Sequence, residues 1–132
     1  GKKKNIYLKL NSTMIKFKSL NQNKEFLKIL KSRRMSNKYF TIYFCKNSVN
    51  SNKYLNISFV TKKKIGNAVA RNKIKRKLKS AVQKNLDNKR LINLNYTYVI
   101  FGKNNVYKDK FKLILDEVGK TFKKINQMAS YT

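Results

Sequence analysis

Residues 62–85, KKKIGNAVARNKIKRKLKSAVQKN, decide the fold of this chain. Gly66 interrupts the preceding pattern, and Asn67 is a residue type that favours helix N-caps. Four apolar residues then follow the i, i+4, i+7, i+8 spacing of a helix buried on one side: Ile74, Leu78, Ala81 and Val82. The stretch therefore predicts a long helix that begins after Asn67 and packs through one face.

Basic side chains flank the apolar face of this predicted helix. At about 100° per residue, one edge carries Arg71, Lys75 and Lys79. Farther round, toward the opposite side, lie Asn72, Lys73 and Arg76. A generic lysine-rich helix is usually a solvated surface. The compact Arg-Asn-Lys-x-Lys-Arg run directly after a helix start favours a binding surface instead.

The charge balance indicates a polyanionic partner. The chain has 132 residues, with 33 Lys and Arg, 5 Asp and Glu and no His, for a formal net charge of +28. A domain that repels itself so strongly suits a permanent polyanionic neighbour. A coding bias toward lysine would explain Lys in place of Arg but not the scarcity of acids. Nucleic acid is favoured over an anionic membrane surface.

The same composition excludes several chemistries. Without His there is no Ser-His-Asp triad and no His-bound zinc. The single cysteine, Cys45, forms no intrachain disulfide, and its aromatic surroundings favour a small buried residue over a nucleophile. The acids do not suggest a converging metal cage: Glu25, Asp87, Asp109, Asp116 and Glu117. We expect another molecule to supply any catalytic site.

The remaining chain alternates short helices and strands, and the whole order is α-β-β-β-α-β-α. A first helix is predicted over 20–31 from the stripe Phe26, Ile29 and Leu30, with Asn21 or Asn23 as cap and Glu25 in its first turn. A short extended piece follows at 33–35. A closing helix over 107–126 has a core stripe of Phe111, Ile114, Leu115, Val118 and Phe122.

Three longer strands are predicted over 38–46, 54–61 and 94–101. In the first, Phe40, Ile42 and Phe44 share one face, and Tyr39, Thr41, Tyr43 and Cys45 share the other. Polar residues at 47–52 indicate a hairpin loop to the second strand. Residues 86–93 are expected to be a connection, and 102–105 a turn.

The chain is expected to form one domain over residues 14–126. Residues 1–13 are predicted to be a basic N-terminal arm, disordered or an extension, and 127–132 a tail. No apolar stretch approaches the roughly 20 residues of a membrane span, so we expect no membrane partner. The expected location is the cytoplasm, or an organelle if the arm is a targeting segment.

The helix and its approach resemble a known family. IGNAVARNKIKRKLK is similar to the signature of the bacterial ribonuclease P protein subunit, an Arg-Asn-Arg-x-Lys-Arg helix entered through a Lys-Lys-hydrophobic-Gly-Asn-Ala-Val turn. Residues 63–69 match that approach, and Arg71, Asn72, Lys75 and Arg76 match the signature. The similarity extends over about residues 15–126.

The resemblance implies an α+β single-domain sandwich with a mainly antiparallel central sheet and an unusual left-handed βαβ crossover. It also implies a ribonucleoprotein whose RNA subunit holds Mg²⁺ and cuts the 5′ leader from precursor tRNA, with no obligate protein partner. By match, the leader lies in a cleft with Phe26, Thr41, Tyr43, Arg71, Lys75 and Lys79. The resemblance likewise implies that the catalytic RNA binds Lys63, Lys64, Asn72, Lys73 and Arg76. Phe26 suits the cleft and the helical core stripe about equally, whereas Tyr43 favours the cleft.

Three positions depart from the family pattern. Lys73 replaces the second Arg of the signature, which keeps the charge but loses a bidentate fork. Leu30 stands where the first helix often carries a second aromatic residue. Lys62 occupies a position that is usually small and polar.

Three other functions are compatible with the charge. A ribosomal or other structural RNA-binding protein fits +28 equally well, and only the signature speaks against it. A self-sufficient nuclease is disfavoured by the missing His and dispersed acids. A DNA architectural protein would prefer duplex DNA over structured RNA.

Overall fold

The computed structural model describes residues 15–20, 22–47, 54–89 and 92–129. The predicted arm at 1–13, most of the predicted loop at 47–52 and the last three residues of the predicted tail lie outside the described residues. The strands are β1 (Lys16–Lys18), β2 (Arg33–Ser36), β3 (Phe40–Lys46), β4 (Tyr54–Val60) and β5 (Tyr96–Gly102). The helices are α1 (Asn23–Ile29), α2 (Ala68–Lys89), α3 (Asn105–Lys108) and α4 (Phe111–Ala129), with a 3₁₀ turn at Lys63–Ile65. The α+β class implied by the family resemblance is confirmed.

The five strands form one mixed sheet in the order β1-β4-β5-β3-β2. The pairs β2–β3 and β3–β5 are antiparallel, and β1–β4 and β4–β5 are parallel. The parallel pair β4–β5 with α2 between them forms the expected βαβ unit. Its left-handed sense stays a prediction from the resemblance.

The predicted hairpin between β3 and β4 is wrong. Strand β5 lies between them and pairs with both. The physical reason is burial, because the side chains from Tyr96 to Ile100 are all buried and a central position covers both faces of a strand. A polar connection alone does not distinguish a hairpin from strands separated by an inserted neighbour.

Alternation along β3 assigns the two faces of the sheet as predicted for residues 40–45, whereas Tyr39 precedes the strand and is buried in the core instead of sharing the face of Tyr43. Phe40, Ile42 and Phe44 are buried, while Thr41, Tyr43 and Cys45 on the other face are half-buried. Cys45 is therefore less enclosed than the sequence indicated, because α1 covers only part of that face of the sheet.

Helix α2 packs on the buried face of the sheet through the four residues expected, Ile74, Leu78, Ala81 and Val82, all fully buried. The Ala70 amide donates a 2.9 Å hydrogen bond to Asn67 Oδ1, which confirms the predicted N-cap. At Gly102, an added Cβ would lie 2.5 Å from Cγ2 of Ile74. The absence of a side chain there lets β5 approach α2 closely.

Several boundaries differ from the prediction. Helix α2 extends to Lys89 and takes up much of the expected connection at 86–93, since Leu86 is buried in the same core. The closing helix begins at Phe111 and is preceded by the separate short helix α3. It continues to Ala129, past the predicted end at 126, because Ile125 near its end is buried in the core. The N-cap of α1 is Gln22, which makes no side-chain cap bond, so the Asn23 cap is wrong; Asn21 lies outside the described residues.

Strand β1 was not predicted. It has three residues and pairs with β4 in parallel, with Phe17 opposite Leu55. Residues beyond it are tied to the sheet by the Leu20 amide, which donates a 2.9 Å hydrogen bond to Ser58 Oγ. Strand β1 therefore forms one edge of the sheet and leads the chain onto the face opposite α2.

Candidate nucleic-acid interface

The sheet face opposite α2 is only partly covered. Helix α1 crosses it and contacts β3 and β5. Ile29 of α1 is buried against the sheet, and Phe26 and Leu30 are half-buried. Because α1 is only seven residues long, it leaves open sheet surface at both ends of the strands.

One of these openings is a groove of about 600 Å³ beside the C-terminal end of α1. We call it the Tyr43 groove. Its lining residues are Leu30, Arg34, Thr41, Tyr43, Lys62, Lys64, Ile65, Phe101, Gly102, Lys103 and Asn104. The sheet register brings these residues together from distant parts of the chain. Thr41 of β3 and Val60 of β4 both pair with Phe101 of β5.

Aromatic rings meet at this groove. The rings of Tyr43 and Phe101 are 5.7 Å apart in an edge-to-face arrangement. Phe26 lies behind them, with its ring centroid 6.3 Å from that of Phe101. Phe26 thus contributes to the packing of α1 on the sheet and also supports the aromatic surface, so both readings of this residue apply.

Cations surround the aromatic surface: Arg34, Lys62, Lys64 and Lys103. Lys103 Nζ donates hydrogen bonds to Ser36 Oγ (2.9 Å) and to the Asn37 carbonyl (2.7 Å). The Ser36 hydroxyl is also 3.0 Å from Thr41 Oγ1. Lys103 is therefore held in place at the groove edge, beside the hydroxyl of Thr41.

The two flanks of α2 have different neighbours. On one flank, Lys79 Nζ lies 5.9 Å from the ring centroid of Phe17 in β1. On the other flank, Lys73 Nζ lies 4.8 Å from the ring centroid of Tyr107, and Lys77 Nζ donates to the carbonyls of Val106 and Asp109, both at 3.0 Å. Asn72 and Arg76 are exposed between these flanks.

Comparison with known proteins assigns the family. The Ribonuclease P family model matches residues 14–126. This chain belongs to the ribonuclease P protein family. As a ribonuclease P protein it takes part in an endoribonuclease complex, and its partner there is RNA. The role in tRNA 5′ leader processing that the sequence motif implied agrees with this membership.

The match to relatives extends over most of this chain and most of each relative. The ribonuclease P protein component of Carboxydothermus hydrogenoformans is 34% identical over 109 residues, covering 80% of this chain and 88% of that protein. That of Mesoplasma florum is 33% identical over 104 residues, covering 78% and 90%. The solved RNase P protein from Thermotoga maritima has the same fold, with a TM-score of 0.67 at 24% identity, covering 81% of this chain and 96% of that one.

The residues predicted for the leader cleft are divided between two places. Thr41 and Tyr43 line the Tyr43 groove, and Phe26 contacts its Phe101. Arg71, Lys75 and Lys79 lie on α2, beyond the groove lining. Among the residues predicted to bind catalytic RNA, Lys64 lines the groove, whereas Lys63, Asn72, Lys73 and Arg76 do not.

Sequence reasoning missed six residues that line the groove: Arg34, Ile65, Phe101, Gly102, Lys103 and Asn104. Strand alternation could have identified Phe101, because it places this residue on the same face of the sheet as Val99 and on the other face from Ile100. No local sequence pattern indicated Arg34 or Lys103, because only pairing across the sheet brings these two residues to the groove. Two of the departures from the family pattern, Leu30 and Lys62, both line this groove.

Within the described ranges, no three His, Cys, Asp or Glu side chains come together in a group able to hold a metal ion. No described helix combines the length and apolarity needed to cross a membrane.

Proposed function

We propose that this chain binds the single-stranded 5′ leader of precursor tRNA in the Tyr43 groove, while the exposed residues Asn72, Lys73 and Arg76 of α2 bind the catalytic RNA of ribonuclease P. The observation that carries the proposal is the combination of an edge-to-face aromatic pair with a cationic rim in one groove. Tyr43 and Phe101 offer ring surface, and Arg34, Lys62 and Lys64 offer positive charge. Stacking suits single strands of varied sequence, because every base has a π face.

The placement of α2 supports a division of labour. Its apolar residues pack on one face of the sheet, whereas the Tyr43 groove opens on the other. We assign Lys63, Asn72, Lys73 and Arg76 to the catalytic RNA, where cations neutralise phosphates and release counterions. Arg71, Lys75 and Lys79 are assigned to the leader beyond the groove, and Lys64, which lines the groove, joins them.

The catalytic centre is proposed to belong to the RNA, together with its Mg²⁺. Support comes from the composition, since the chain has no His and only 5 acidic residues. The protein would contribute binding and orientation of the substrate. Such contributions raise the rate by holding the scissile bond at the catalytic centre.

The test is reconstitution with a bacterial ribonuclease P RNA. The variant Tyr43→Ala should weaken binding of precursor tRNA roughly 5- to 150-fold, the loss of about one base–aromatic stack. Binding of mature tRNA should stay nearly unchanged, because it lacks the leader. Leu113→Ala, which truncates an exposed large side chain on α4, is the control.

The melting temperatures of both variants are measured first, so that lost folding is not mistaken for lost binding. Equal losses for precursor and mature tRNA in Tyr43→Ala would refute the groove assignment. Failure of the wild-type chain to stimulate leader removal by the RNA would refute the proposed function itself.

A further inference from the structure

A second groove, of about 610 Å³, opens on the same sheet face at the other end of the strands. We call it the Tyr54 groove. It is lined by side chains of β1, α1, β3 and β4, among them Lys18, Lys28, Cys45, Lys46 and Tyr54. Neither the family signature nor the leader-cleft residues lie in it.

Helix α1 separates the two grooves. Leu30 at its C-terminal end lines the Tyr43 groove, whereas Glu25, Lys28 and Ile29 line the Tyr54 groove. On β5 the first groove reaches Phe101 and the second reaches Thr97. Phe101 lies four positions after Thr97, which along a strand is a distance of about 13 Å. The grooves are therefore distinct sites on one continuous surface.

The Tyr54 groove combines an exposed aromatic ring with positive charge. Tyr54 is 41% exposed although it begins a strand, and Lys18 Nζ lies 5.7 Å from its ring centroid. Lys28 and Lys46 are exposed lining residues. Glu25 is the acid among the lining residues, so cations outnumber it three to one.

The floor of the groove is suited to a flat ligand with polar edges. The half-buried side chains of Leu20 and Cys45 supply apolar surface, and the half-buried Asn56 supplies an amide group beside it. A nucleobase has the same combination of an apolar face and hydrogen-bonding edges. Phosphates on either side of it would meet the lysines, and an acidic protein segment would leave the ring and floor unused.

We propose that the Tyr54 groove is a second binding site for single-stranded RNA, in which a base stacks on Tyr54 and the flanking phosphates contact Lys18, Lys28 and Lys46. The inference rests on the proposed function in one respect: the strand is taken to be a leader that extends past the Tyr43 groove. A leader long enough to pass α1 would then occupy both sites, and a short leader only the first.

The experiment compares two precursor tRNAs bound by the reconstituted complex, one with a short leader that reaches only the Tyr43 groove and one several nucleotides longer. Tyr54→Ala should weaken the long-leader precursor roughly 5- to 150-fold, as expected for a lost stack, and leave the short one unchanged. Tyr54→Phe keeps the ring and should bind both precursors like the wild-type chain. A melting curve of each variant checks folding.

A charge control separates this site from the general attraction of a +28 protein. The double variant Lys18→Ala/Lys28→Ala should weaken the long leader selectively. The matched double variant Lys112→Ala/Lys123→Ala removes the same charge from exposed positions on α4, across the sheet, and should affect both leaders equally.

The outcomes distinguish this inference from the proposed function. If Tyr43→Ala weakens binding of both precursors and Tyr54→Ala leaves binding of the long-leader precursor unchanged, the second site is overturned and the first is kept. Equal losses for both lengths in Tyr54→Ala also overturn it. So does displacement of the long leader from the Tyr54 groove by duplex RNA or an acidic peptide as effectively as by single-stranded RNA.

Discussion

The Tyr39 hydroxyl donates a 2.6 Å hydrogen bond to Oδ2 of Asp109, which joins the segment before β3 to the end of α3. Lys38 Nζ lies 3.3 Å from the same carboxylate oxygen. The hydrogen bond to Asp109, together with burial, raises the pKa of Tyr39 to about 12. The same bond from Tyr39 is the main cause that lowers the pKa of Asp109, against the effect of burial.

Tyr39→Phe should therefore destabilise the fold in a pH-dependent way. The lowered pKa of Asp109 gives stability that is present above the ordinary Asp pKa and lost as pH falls through the folded value. The raised pKa of Tyr39 gives stability that is present below about pH 10 and lost as pH rises toward 12. The difference in unfolding free energy between wild type and variant should be largest near neutral pH.

Urea unfolding at about pH 3, 7 and 11 measures this difference. Tyr107→Phe, at an exposed tyrosine, is the control and should match the wild type at each pH. A Tyr39→Phe effect that is constant across the three pH values would contradict the linkage.

Lys77→Met should destabilise the fold, because it keeps an unbranched apolar side chain but removes the ammonium group. Lys77 Nζ donates to the carbonyls of Val106 and Asp109 at 3.0 Å and approaches that of Tyr107 at 3.5 Å. These carbonyls belong to the end of α3, where helical partners are missing. Loss of charged hydrogen bonds should cost about 1.5–3 kcal/mol, measured by urea unfolding. Lys108→Met, at an exposed lysine of α3, should change stability little, and equal effects would argue against the anchoring role.

Gly102→Ala should cost about 1–3 kcal/mol by overpacking the contact between β5 and α2. The added Cβ would lie 2.5 Å from Ile74 Cγ2 and 2.9 Å from Leu78 Cδ1, both on fully buried side chains. A double-mutant cycle with Ile74→Ala tests the mechanism. If the clash is the cause, Gly102→Ala should cost less in the Ile74→Ala background, and strict additivity would count against it.

Arg71 and Asn72 should matter beyond their charge. Arg71→Lys keeps the charge but removes the planar fork, so it should still weaken leader cleavage by the reconstituted complex. Asn72→Ala and Arg76→Ala should weaken assembly with the catalytic RNA, whatever the leader. Filter binding and single-turnover cleavage measure the two effects. If Arg71→Lys and Asn72→Ala both behave as wild type, α2 presents only a solvated face.

Affinity for the RNA partner should fall steeply with salt. Each phosphate neutralised by Lys or Arg releases counterions, so log affinity should decrease linearly with log salt concentration. The expectation rests on the net charge of +28. A titration over a range of KCl concentrations provides the slope, and a nearly flat plot would show that ion contacts contribute little.

The sequence by itself predicted the elements whose signals are local. The N-cap at Asn67 depends on one side chain and the amide three residues on, and the buried stripe Ile74–Val82 depends only on helical spacing. The alternation of Phe40, Ile42 and Phe44 is a property of one strand. Each of these was read correctly because its cause lies within a few residues.

Tertiary structure alone decided which strands are neighbours and which side chains share a groove. Residues 47–52 resemble a hairpin loop, yet β5 inserts between β3 and β4 because its side chains need burial on both faces. That pairing brings Phe101 and Lys103 beside Tyr43, and it leaves Tyr54 exposed at the far end of the same surface. Local patterns carry no information on such pairings, since their free energy comes from contacts between segments far apart in the chain.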